Sequence, residues 1–184
     1  MNIPEANPFF KDKMRYLGPL LSIGLTLLLM LFPFAHYTNT TFSGATGTDS
    51  DSFSFFRMMG PYEVDVEGFN ATFNKSGLAI VAFLMFLFSA GFYLFGIYRA
   101  KKDFAEKGSI NTNIFTLSLI FRILFSIFIL ILLMAGSFTD SGYEITEDSD
   151  VNYAPGLSGI AMVFMIVAAI IDYQGYIRFS KKKQ

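Results

Sequence analysis

Two ionisable side chains, Arg122 and Asp172, stand inside otherwise apolar runs of this 184-residue sequence. Counted from the nearer polar ends of those runs, they lie about eight and six residues deep, ~12 Å and ~9 Å at helical rise. Opposite charges at matched depth on consecutive helices predict an intramembrane ion pair, because isolated charge is expensive in lipid and pairing lowers its cost. Such a pair serves either as a polar site or proton path, or as a structural pin between two helices, with snorkelling to the interface as a further structural role. The other polar groups at depth are Ser89, Ser118 and Ser126, few for a transporter.

The remaining candidates are weaker. Asp140, Glu144, Glu147, Asp148 and Asp150 offer enough oxygen ligands for Ca²⁺. Their spacing fits no EF-hand loop, and they read as solvated acidic residues. His36 is the only histidine, and cysteine is absent, so neither a zinc site nor a thiol nucleophile can be assembled. The sequence contains no G-x-S-x-G, H-E-x-x-H or Walker pattern. The expectation is a protein that is not an enzyme, with no catalytic, metal-binding or cofactor-binding residue. Nothing in the charge pattern suggests nucleic acid as a partner. Three N-x-[ST] sequons, at Asn39, Asn70 and Asn74, read as chance occurrences in an Asn- and Thr-rich segment.

What must position these residues is a set of four apolar runs, 16–34, 77–98, 114–135 and 157–177. Each is about 20 residues, the length an α-helix needs to cross ~30 Å of hydrocarbon. Segments 35–76 and 136–156 are acidic, whereas 1–15, 99–113 and 178–184 are basic. Of the 14 Lys and Arg residues, all but Arg57, Lys75 and Arg122 fall in the basic segments. By the positive-inside rule both termini and the middle segment are cytoplasmic. The first run reads as a retained span, because it is long for a signal-peptide core and no A-x-A site follows it. High Phe, with no Trp or Cys, suggests a bacterial plasma membrane.

An internal repeat organises the runs. Tyr62-Glu63-Val64 precedes Ser76-Gly77-Leu78-Ala79, and Tyr143-Glu144-Ile145 precedes Ser158-Gly159-Ile160-Ala161. Both copies leave their helix through a basic exit, at Arg99 and at Arg178. The unit is a helix, an outer segment with a short strand, and a second helix. The predicted fold is therefore an all-α membrane protein, an antiparallel four-helix bundle from two tandem helix hairpins with a small β-structured cap outside the membrane.

The first outer segment is longer by an insert over 36–60. After it, Tyr62, Val64 and Val66 alternate with Glu63, Asp65 and Glu67, and Phe69, Ala71 and Phe73 with Asn70 and Thr72. This alternation predicts a hairpin turning at Glu67-Gly68, with Tyr143–Ile145 as a third strand. Phe53, Phe55, Phe56, Met58 and Met59, with Tyr62 and Tyr143, are the expected interaction surface. The long first and shorter second outer segments resemble those of claudin-like tetraspan proteins, but the Trp and Cys signature of that family is absent, which excludes the assignment. The function expected is that of a non-enzymatic plasma-membrane interaction protein, an accessory or immunity-type subunit. Its partners would be membrane lipids and a second protein or another copy of itself. The alternative is a small transporter or channel subunit using Arg122 and Asp172.

Overall fold

A computed structural model describes residues 13–39, 49–66, 69–73, 75–107, 111–135, 143–145 and 151–181. Among the described residues the protein is mostly helical, with four helices: α1 (Lys13–Leu29), α2 (Gly77–Lys107), α3 (Asn113–Ala135) and α4 (Leu157–Lys181). Three of them, α2 to α4, are long and apolar enough to cross a membrane. The first is shorter. Its 17 residues rise only ~25 Å.

The apolar run 16–34 thus does not form one helix, and this corrects the expected first span. After Leu29 the amides of Leu31 and Phe32 donate to the carbonyls of Leu28 and Leu29, the tight i→i+3 turn that commonly closes a helix. Pro33 then has no N–H to continue the ladder, and the chain enters a strand. Met30 and Phe34, read from sequence as membrane residues, are fully buried in the core beneath the cap.

Helix α2 runs on to Lys107, well past the apolar boundary at Tyr98. Beyond that point Arg99 pairs with Asp103 and Lys102 with Glu106 at i,i+4, while Ala100 and Asp103 are buried. Such pairs add a few tenths of a kcal/mol each.

The bundle is antiparallel throughout. Along α2 and α3 the aromatic contacts run Phe86 to Phe125, Phe92 to Phe121 and Tyr93 to Phe115. Between α3 and α4, Gly159 lies near Leu133 and Thr116 meets Tyr173. Between α1 and α4, Ser22 meets Met165 and Gly18 approaches Asp172.

Among the described residues six strands form two small sheets at one end, the cap end. They are β1 (Pro33–Asn39), β2 (Asp49–Ser54), β3 (Tyr62–Val66), β4 (Phe69–Phe73), β5 (Tyr143–Ile145) and β6 (Val151–Pro155). One sheet has the order β2-β1-β6 and the other β3-β4-β5, each strand antiparallel to its neighbour. The hairpin register is Val66 opposite Phe69 and Tyr62 opposite Phe73, and Tyr143 pairs with Ala71. The predicted turn at Glu67-Gly68 lies outside the described residues. A short 3-10 turn at Arg57–Met59 joins the sheets. There the Arg57 guanidinium donates to the carbonyls of Ser52 and Glu63 and pairs with Asp51.

The two Ser-Gly landmarks behave differently. Ser76 Oγ accepts from the Ala79 amide at the start of α2, an ordinary N-cap. Ser158 Oγ instead donates to the carbonyls of Phe32 and Pro33. A Cβ built on Gly156 would stand 2.4 Å from the Pro33 carbonyl oxygen. Only glycine lets α4 start this close to the α1–β1 corner.

Candidate intramembrane polar site

Away from the cap, the four helices line a half-open cavity of about 30 Å³, with Ser22, Ser89, Ser118, Arg122, Asp172 and Tyr176 among its residues. Arg122 on α3 is 4% exposed. Its Nη1 donates to Thr26 Oγ1 at 3.1 Å, and that hydroxyl donates to the Ser22 carbonyl of its own helix at 2.8 Å. The guanidinium carbon lies 5.4 Å from the Phe86 ring centroid, a cation–π distance. Thr26 therefore spends its donor within α1 and offers a lone pair to α3.

Asp172 lines the same cavity from α4. A Cβ on Gly18 would come within 3.6 Å of its Oδ1, so α1 passes close to the carboxylate. Among the described residues no ion pair joins Asp172 to Arg122. The two charges share a cavity, not a direct contact, where sequence reasoning expected a bond.

The serines at depth pack helices together. Ser89 Oγ donates to the Ser118 carbonyl at 2.9 Å, and Ser118 Oγ donates back to the Ser89 carbonyl at 2.8 Å. Small hydroxyls at a crossing let two backbones approach, as membrane helices commonly require. Ser126 is also buried, and its Oγ has no hydrogen-bond partner among the described residues.

Toward the basic end the cavity is lined by aromatic rings. Phe115 stacks on Tyr176 with centroids 4.4 Å apart, and Tyr93 meets Phe115 edge-on at 5.8 Å. Tyr176 OH donates to Tyr93 OH at 2.8 Å, which donates to the Tyr16 carbonyl at 3.0 Å. Gly96 makes room for the plug, since a Cβ there would lie 2.9 Å from the Phe115 ring. Beside it Thr116 and Tyr173 share a hydrogen bond of 2.8 Å.

Sequence reasoning did not single out Thr26, Tyr93 and Tyr176. Their signal was available: a hydroxyl inside a span calls for a partner as surely as a charge does.

The expected interaction surface is placed elsewhere. Phe53, Phe55 and Met58 are 1%, 0% and 0% exposed, and Phe56 and Met59 pack half-buried against the same core. These residues do not face outward, because the insert folds over them as β2 and the 3-10 turn. The side chains of Tyr62 and Tyr143 lie outside the described residues. An aromatic ladder runs from the cap core into the bundle through Phe34, Phe55, Phe56, Phe83, Phe86 and Phe125, with neighbouring centroids 5.6–6.5 Å apart.

Two other features bear on chemistry. His36 sits on β1 at the edge of a groove of about 510 Å³ with Leu29, Phe32, Leu157 and Ala161. Among the described residues no group of three or more His, Asp or Glu is placed to hold a metal ion. Most of the acidic segment 140–150 lies outside them.

The sequence matches no family model and no curated protein.

Proposed function

We propose that this chain is a non-enzymatic interaction protein of the plasma membrane, an accessory or immunity-type subunit that engages another protein through its helix faces. The observation that supports this reading is the state of α4. Its apolar window is 11% buried, against 28% for α2 and 33% for α3. One unbroken face carries Leu157, Ile160, Phe164, Val167 and Ile171, all exposed. In lipid this face gains nothing from hydrophobicity alone, and it becomes selective only through packing against a shaped partner. Strand β6 leads directly into α4, so a partner seated there also reaches the cap.

The same proposal includes four crossings, with α1 and its closing turn as the first, built from two tandem helix hairpins. Both termini and the segment between α2 and α3 face the cytoplasm, most simply that of a bacterium. Placing a photo-crosslinking residue at Phe164 or Ile171 in the native membrane tests the reading. A discrete protein adduct from these positions, absent from Phe125, is the expected result. Adducts with lipid alone would refute it.

A second reading is favoured by the polar cavity: a small transporter or channel subunit that uses Arg122 and Asp172. It requires ion or solute flux in proteoliposomes that Asp172→Asn abolishes. Folded protein without flux would remove it.

A further inference from the structure

We infer that the cavity between Arg122 and Asp172 is a hydration site, in which ordered water joins the guanidinium to the carboxylate. The inference stands apart from both functional readings, since it concerns what occupies this space in either case.

Size selects the class of occupant. A buried water needs roughly 10–15 Å³ measured on this scale, and the cavity measures about 30 Å³. One or two waters fit, and organic solutes do not. Charge then selects among occupants of that size. The lining carries one cation and one anion, so chloride would be repelled by Asp172 and sodium by Arg122. Water is neutral, dipolar and able to satisfy both.

The hydrogen-bonding capacity also matches. Arg122 has five N–H donors, and one of them is taken by Thr26. Ser89 and Ser118 spend their donors on backbone carbonyls and keep lone pairs facing outward from those bonds. A buried water needs two to four such partners. Arg122 is 4% exposed and Asp172 partly exposed, and among the described residues only Thr26 hydrogen-bonds to either; opposite charges so placed are costly unless something polar lies between them. The Tyr93–Phe115–Tyr176 rings stand on the basic side of this half-open pocket, so the water sits against protein groups on that side.

Radiolytic hydroxyl-radical footprinting of the full-length protein in lipid nanodiscs tests this, because bound water yields radicals at the side chains beside it. Tyr93 and Tyr176, 4% and 7% exposed, should be oxidised, while the fully buried and intrinsically more oxidisable Met30 and Met162 stay protected. Ala169→Val fills the cavity from α4 and should reduce the tyrosine signal to the level of that dry core. Ser22→Val fills it from α1 and serves if the first variant does not fold. Tyrosines as protected as Met30 in the wild type would overturn the site, as would oxidation that persists in a folded, filled variant. A signal that changes when chloride is replaced by gluconate, or sodium by choline, would assign the space to that ion and also overturn the inference.

Discussion

The cap end of the molecule and the basic end of its bundle are both well packed, yet they are held by different physics. The cap end is a dry core of Met30, Phe34, Phe53, Phe55, Met58, Phe125, Ile129 and Met162, each at most 1% exposed. The basic end is a polar layer in which Ser22, Thr26, Ser89, Ser118, Arg122 and Asp172 meet below an aromatic plug. The cap surface carries the exposed Ser52, Arg57 and Glu63, and burying aromatic area beneath such polar groups draws on the hydrophobic effect. The bundle interior has lipid as its reference state, where apolar area counts for little and close approach with hydrogen bonds holds the helices. Stability therefore concentrates at one end, and polar specificity at the other.

The largest expected effect lies in the dry core. Phe55→Ala should cost about 3–5 kcal/mol, read as a fall in thermal midpoint in mild detergent. Next comes the α4 start, where Gly156→Ala drives a methyl into backbone oxygen and should cost about 1–3 kcal/mol by the same assay. In the polar layer, Tyr176→Phe removes the donor to Tyr93 and should cost about 1 kcal/mol. Ser118→Ala, which breaks one half of the reciprocal serine pair, should cost about 0.6 kcal/mol. If Ser118→Ala destabilises as strongly as Phe55→Ala, the contrast between the two ends is wrong. Arg122→Met sharpens it from the other side. Combined with Asp172→Leu, this substitution removes both charges, and replacing a buried charged pair with apolar side chains of similar volume is often close to neutral, so folding should survive while any activity that depends on the cavity is lost.

Much of this was legible in the residues. The three long helices follow from apolar length alone, and the β3-β4-β5 sheet follows from the period-two alternation of 62–66 and 69–73 with Tyr143–Ile145. The second sheet was not legible. Its β1 begins inside an apolar run, where Phe34 reads as lipid-facing, and its β2 is Asp-Ser-Asp-Ser-Phe-Ser, a sequence with little strand propensity that pairing with β1 imposes. Of the polar site, the charges announced themselves because charge is rare in a span. The absence of a direct bond between them did not, since it depends on where Thr26 and Gly18 place α1. The exposed-looking Phe and Met residues of the insert were misread because composition cannot tell an aromatic surface from the core of a small cap.

The crossed strand pairing has a consequence for biogenesis. Strands β1 and β4 belong to the segment between α1 and α2, and each waits for a partner, β6 or β5, from the segment between α3 and α4. Until the later segment has been made, both therefore present unpaired edges, the kind of edge that recruits other chains. The cap closes only when α4 arrives, and until then the nascent protein depends on rapid synthesis or on an escort to keep those edges from pairing elsewhere.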